Sequence, residues 1–201
     1  MLFDDIVSKV INKPLTKFFD IILGLFQSKI SKAIERGDLE AFKREVKKNI
    51  NINKADEHGT TLLMMAACNK NTDIVRYLLD NGALVNMKEI HMGATALHYA
   101  IKFGGKLESV KLLLERGASC NEKTSDGETP LMHAIVSHRE DIVKVLLEDK
   151  NINIEEKDLD GCTAWGYALK SKQPEINSLL KKKGACENTQ IPSYVLLEDV
   201  K

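Results

Sequence analysis

The chain has 201 residues, in which 29 Lys and Arg balance 29 Asp and Glu to a formal net charge of +0. That balance, an aromatic content of 5% and a strong preference for Lys over Arg argue against nucleic acid as a partner, because they leave no basic field, few stacking platforms and few bidentate phosphate readers. The length suffices for one extended domain with a buried core, and Cys68, Cys120, Cys162 and Cys186 form neither a C-x-x-C pair nor a zinc-ligand spacing with the five histidines. They read as reduced thiols, and no metal is expected.

From the N-terminus, Phe3, Ile6, Val7, Val10 and Ile11 form a helical stripe. Leu15, Phe18, Phe19, Ile22 and Phe26 form a second one after the break at Lys13-Pro14. The apolar stretch from Phe18 to Phe26 is interrupted by Asp20 and falls short of the roughly 20 residues a membrane span needs. It also lies too far from Met1 for an export signal. Residues 1–27 are therefore expected to be a helical extension that covers the open apolar end of the first folded unit after it. Membrane contact through residues 1–26 is the alternative. It is disfavoured because Asp4, Asp5 and Asp20 cancel Lys9, Lys13 and Lys17, whereas an interfacial helix carries a basic polar face.

Four segments then recur at a period of 34: Gly59-Thr60-Thr61-Leu62-Leu63, Gly93-Ala94-Thr95-Ala96-Leu97, Gly127-Glu128-Thr129-Pro130-Leu131 and Gly161-Cys162-Thr163-Ala164-Trp165. A small residue follows each at one offset (Ala66, Ala100, Ala134, Ala168). A second apolar run comes after it, such as Ile74-Val75-Arg76-Tyr77-Leu78-Leu79 or Ile142-Val143-Lys144-Val145-Leu146-Leu147. Each unit thus predicts two short amphipathic helices. Thr61, Thr95, Thr129 and Thr163 are placed to cap the first helix, with Pro130 and Pro174 in first turns. Gly82, Gly117 and Gly184 end the second helix. A degenerate unit precedes these, since Ser28 stands 33 residues before Thr61 and Ala33-Ile34 before Ala66-Ala67. Lys150 takes the place of the capping glycine in the fourth unit, Gly166 that of the His of the motif in the fifth, and Phe103-Gly104-Gly105-Lys106 holds one extra residue.

These units resemble ankyrin repeats, most closely at Thr95-Ala96-Leu97-His98-Tyr99-Ala100 and Thr129-Pro130-Leu131-Met132-His133-Ala134. The Gly82-Ala83-Leu84-Val85-Asn86 ending is similar to the G-A-D-V-N of that family. The resemblance implies an all-α solenoid of five stacked helix-turn-helix repeats with short β-hairpin fingers. Its units are residues 28–58, 59–92, 93–126, 127–160 and 161–188, followed by a tail, 189–201. It also implies that His98 bonds to Thr95, and that Tyr99, Trp165 and Tyr167 fill the core.

No catalytic constellation is recognisable. There is no G-x-S-x-G elbow and no H-E-x-x-H, and Gly104-Gly105-Lys106 lacks the rest of a phosphate loop, so neither enzyme activity nor a cofactor is expected. What remains is surface. In ankyrin-like stacks partners meet the fingers and the exposed side of the first helices. By register this places His58, Met87, Ile90, His91, Met92, Asp126 and Leu159 on fingers, and Asn69, Lys102, Phe103 and Val136 on helices. Counted back from Gly93, Ile90 occupies the place held by Asp56 and Asp158 in other fingers, and Met87, Ile90, Met92 and Phe103 read as an apolar partner-facing cluster rimmed by His91 and Lys102. The expected function is binding of another protein by a chain that is a monomer alone and cytoplasmic. It would act as an inhibitor, or as an adaptor that uses residues 1–26 or 189–201 as a second attachment. The alternative is an effector of an intracellular bacterium acting in the host cytosol, to which the bias toward Lys, Ile and Asn points.

Overall fold

The structure is a computed structural model that describes residues 29–47 and 50–185. Among the described residues the chain forms ten helices: α1 (Lys29–Arg36), α2 (Leu39–Val46), α3 (Leu62–Cys68), α4 (Thr72–Asp80), α5 (Ala96–Lys102), α6 (Leu107–Glu115), α7 (Pro130–Val136), α8 (Glu140–Glu148), α9 (Ala164–Lys170) and α10 (Pro174–Lys182). The expected N-terminal extension, 1–27, and the tail, 189–201, lie outside the described residues, and so do Ser28 and Cys186.

The odd-numbered helices pack one on the next from α1 to α9, and the even-numbered ones from α2 to α10, in two layers. The first helices approach closely because Ala33, Ala66, Ala67, Ala100, Ala134 and Ala168 are buried between them. The second helices each bury a stripe, Ile74, Val75 and Leu78 on α4 and Ile142, Val143 and Leu146 on α8, at about 1.5–3 kcal/mol for each fully buried side chain. Leu169 lies on α9, the last of the first helices among the described residues. Its counterparts Ile101 and Ile135 are buried, but no further first helix packs on α9 among the described residues, and Leu169 is exposed.

The helix ends follow the predicted punctuation in part: Thr163 stands at the N-cap of α9 without a side-chain cap bond. Thr61 and Thr129 Oγ1 accept from the amides of Met64 and Met132, while Thr95 Oγ1 lies 2.9 Å from Nδ1 of a buried His98, as the resemblance implied. Gly82, Gly117 and Gly184 adopt left-handed backbone, and the amide after each bonds back to Leu78, Leu113 or Leu180. With Lys150 in place of glycine, α8 ends differently: Asp149 stays extended and its Oδ1 accepts from the Asn151 amide at 2.8 Å. The extra residue between α5 and α6 is Lys106. It follows Gly105, where a β-carbon would run into the Ala67 carbonyl oxygen.

Neighbouring units are tied by a recurring clamp. The Asn53 side chain donates to the Gly82 carbonyl and accepts from the Leu84 amide. Asn86 holds Gly117 and Ser119 in the same way, and Asn121 holds Asn151 and Asn153, at 2.6–3.0 Å throughout. Within the stack, buried Thr72 and Ser109 hydroxyls meet at 3.0 Å, and the Phe42 and Tyr77 rings make an edge-on contact at 5.9 Å. The expected β-hairpins are tight turns instead: among the described residues no strand forms.

Candidate protein-binding face

Each finger is built around one side-chain acceptor and one backbone closure. Asp56 Oδ1 accepts from the amides of His58 and Thr60, Thr124 Oγ1 from that of Glu128, and Asp158 Oδ1 from that of Cys162. Matching backbone bonds run from Asp56 to Thr60, Thr124 to Glu128 and Asp158 to Cys162. In the finger from Met87 to Met92 the acceptor is Glu89, a buried carboxylate that takes the amides of His91, Met92 and Ala94, with its own amide bonded to the Ala94 carbonyl. The register expected from Gly93 is therefore corrected. This finger is one residue longer, Glu89 rather than Ile90 stands where Asp56 and Asp158 do, and Ile90 moves out to the tip.

The fingers are bonded to one another in sequence. The Ile90 amide donates to the His58 carbonyl at 2.9 Å, Ser125 to Met92 at 2.6 Å and Leu159 to Asp126 at 3.0 Å. The fingers of Asp126 and Leu159 pack closely at Gly127: a β-carbon there would lie 2.8 Å from the Leu159 nitrogen, and its φ of 80° is the left-handed conformation that glycine adopts without strain. His58 and His91 add a side-chain bond between their tips.

The predicted residues separate into two sets. Ile90 and Leu159, 67% and 78% exposed, stand out on the tips with His91 and Asp126. Met87, Met92 and Phe103 are only partly exposed and pack against the core, so they do not protrude with Ile90 as one apolar cluster. The Phe103 ring leans on the buried Tyr99 ring at 5.3 Å, and Lys102 Nζ lies 3.9 Å from Met92 Sδ. Val136 and Asn69 are half-buried at the ends of α7 and α3, and the Asn69 amide group caps α3 by donating to the Met65 carbonyl.

A shallow pocket opens between the third and fourth units, with Met92, Tyr99, Lys102, Phe103, Asp126 and Glu128 among its lining. Glu128 anchors a network that sequence reading missed. Its carboxylate lies 3.0 Å from His133 Nε2 on one side and accepts from the Tyr167 hydroxyl at 3.0 Å on the other, and that hydroxyl also reaches Asp158 at 2.7 Å. Burial alone would raise the Glu128 carboxyl, but the hydrogen bond and charge of His133, with the Tyr167 hydroxyl, hold it down at about 2, so it is ionised. Burial, together with two carboxylates around it, pushes the Tyr167 hydroxyl far up. Tyr167 is thus only partly buried and works as a polar link between units rather than as core filling, while Tyr99 and Trp165 are buried as expected. The only advance signal for this network was the acidic residue two positions after Asp126.

Burial, and then the neighbouring His133, depress His98 to about 3, which leaves it neutral. The Cys68 thiol is driven up to about 12 by burial, so it is a poor nucleophile. Among the described residues no helix is long and apolar enough to cross a membrane, and no three His, Cys, Asp or Glu side chains are grouped to hold a metal ion.

Comparison with known proteins bears on this face. The family described as ankyrin repeats matches residues 30–124 and 105–191. An ankyrin repeat protein of fowlpox virus (strain NVSL) is 35% identical over 154 residues, which is 74% of this chain and 45% of the relative. One from Rickettsia bellii (strain RML369-C) is 36% identical over 144 residues, 67% of this chain and 57% of the relative. The human transient receptor potential cation channel subfamily A member 1 is 30% identical over 135 residues, 67% of this chain but 12% of the channel. The chain therefore spans 57% or less of the length of each of these relatives.

Proposed function

The chain belongs to the ankyrin-repeat family, whose repeats are generally protein–protein interaction modules, and from that premise we propose that it binds a partner protein across its fingers and the exposed ends of its first helices. The observation that carries this reading is the row of fingertips. Two large apolar side chains, Ile90 and Leu159, are held in water on turns that are hydrogen-bonded to their neighbours. Exposed apolar side chains on rigid turns bury area at little ordering cost, which favours association. The chain itself does no chemistry in this reading. It covers a surface of its partner as an inhibitor, or presents the partner to others as an adaptor, in the cytoplasm.

The test is affinity capture from native cytosol with mass spectrometry, using an Ile90→Asp, Leu159→Asp double variant as control. A protein retained by the natural chain and lost with the variant supports the reading; a set of retained proteins that is the same for both overturns it. The likeness to a Rickettsia bellii protein keeps a second reading open, that of a bacterial effector acting on a host protein. A translocation reporter fused to the chain distinguishes the two.

A further inference from the structure

The pocket between the third and fourth units lies beside the row of tips, and its chemistry narrows the class of partner. Its apolar surface is Met92 and Phe103, backed by Tyr99. Two carboxylates, Asp126 and Glu128, line it together with the Lys102 ammonium and the His98 and His133 rings. Glu128 is engaged by His133 and Tyr167, and the Lys102 ammonium rests against the Met92 thioether. Asp126 is exposed, and its carboxylate makes no hydrogen bond or ion pair among the described residues, its bond to Leu159 being through the backbone carbonyl. Asp126 is also the tip residue between the two apolar ones, with Ile90 a finger before it and Leu159 a finger after it.

We propose that an arginine side chain of a partner protein lies across the mouth of this pocket, whose interior has room for little more than a water molecule, from a segment whose apolar residues on either side of that arginine cover Ile90 and Leu159. The proposal rests on the reading of this face as a protein-binding surface and states what it recognises. A flat guanidinium fits an aromatic and thioether floor with a carboxylate at the rim, since it stacks on the ring and bonds the carboxylate through two N–H groups, neither of which an ammonium does as well. The spacing is testable. Units stacked about 8–10 Å apart put the two apolar tips roughly 16–20 Å apart, which an extended chain at about 3.3 Å per residue spans in five or six residues.

The experiment titrates the intact chain, labelled at methionine methyls and backbone amides, with acetyl-Leu-Ser-Arg-Ser-Ser-Ser-Leu-amide. Peptides with lysine, neutral citrulline or glutamate in place of the arginine serve as comparisons. The expected result is saturable shifts at Met92, Lys102 and Asp126. Affinity should be greatest for arginine, lower for lysine and lowest for citrulline and glutamate. Asp126→Asn should lower the arginine affinity about three- to fivefold, toward the citrulline value, at an unchanged melting temperature. Lys102→Met, which removes the pocket's ammonium, should leave the arginine peptide bound at least as tightly. Equal binding of citrulline, tighter binding of glutamate, indifference to Asp126→Asn or an absence of saturable shifts overturns the proposal. If the peptides fail while Ile90→Asp with Leu159→Asp still abolishes capture of a partner, the pocket assignment falls and the binding face stands. If capture fails as well, both fall.

Discussion

His58 Nδ1 and His91 Nε2 lie 2.9 Å apart, a side-chain bond between successive fingers that spans 33 positions of sequence. The rings are tilted at 46° with centroids 5.0 Å apart, and directly beneath them the Ile90 amide donates to the His58 carbonyl. The pair acts as a staple on an exposed turn. One nitrogen must donate and the other accept, so the contact needs at least one uncharged ring.

Removing the staple is expected to loosen the tip without unfolding the stack. His91→Ala should cost about 0.5–1.5 kcal/mol, the net value of one such bond. It should raise the hydrogen-exchange rate of the Ile90 amide more than that of the buried Val110 amide in α6. Exchange measured by NMR on the natural chain and the variant checks this.

A pH dependence follows from His98. Its ordinary value of 6.5 applies to the unfolded chain, and the fold holds it near 3, so between these limits the unfolded state carries a proton that the folded state refuses. Stability contributed by neutral, buried His98 is complete above pH 6.5 and is lost progressively as the pH falls toward 3. The loss from this residue is about 2 kcal/mol between about pH 6.5 and pH 5, at ~1.36 kcal/mol per unit. Urea midpoints at about pH 7 and pH 5 should therefore differ more for the natural chain than for His98→Gln, which is less stable near neutrality but flatter with pH.

Two non-glycine residues, His138 and Lys172, adopt left-handed backbone in turns between paired helices, with φ of 53° and 52°. Gly37 and Gly104 take left-handed backbone in the corresponding turns of the first and third units. Lys172→Gly is expected to stabilise by a few tenths to about 1 kcal/mol, and His138→Gly by less, because histidine tolerates this region better than lysine. Thermal melts of the two variants decide the order.

At the other extreme, Gly105→Ala should destabilise by about 2 kcal/mol or more, as its methyl would meet the Ala67 and Ala100 carbonyl oxygens. Circular dichroism melts measure it, and an unchanged melting temperature would refute the close packing of α5 on α3.

For the interface, the informative substitutions are those on the tips. Ile90→Asp with Leu159→Asp should leave folding within about 0.5 kcal/mol and weaken partner binding by at least about tenfold, or ~1.4 kcal/mol. Met92→Glu with Phe103→Glu, which the sequence alone marks as an equally clean pair, should instead lower the melting temperature, because both side chains pack against the core. A melt run beside each binding assay separates the two effects.

The repeat frame was legible in the sequence because its punctuation answers to local geometry. A left-handed turn selects glycine, a helix start selects a hydroxyl, and close helices select alanine, so Gly82, Thr61 and Ala100 could be read one unit at a time. The finger around Glu89 was misread by one position because counting from Gly93 assumes fingers of equal length. The carboxylate that organises the turn, Glu89, was the better landmark, since a buried acid that takes three amides tolerates an extra residue between itself and the glycine. The burial of Met92 and Phe103 and the Glu128–Tyr167 link were not legible, because each depends on what the adjoining unit places against it. Tyr167 stands 39 positions from Glu128, and no local pattern joins them.

The asparagine clamps carry a consequence for how such a chain can change. Asn53, Asn86 and Asn121 each grip only the following unit, by the same two backbone groups, so these three junctions present the same plug to the same socket. Excising residues 86–120 would set Asn121 directly after Val85, in the place of Asn86, with the Asn53 grip on Gly82 and Leu84 untouched and Asn121 holding Asn151 and Asn153 as before. A gene encoding this chain can therefore shorten or lengthen by whole units without inventing a new junction. What such an excision removes is Ile90, Met92 and Phe103, so recognition would be lost while the architecture persists.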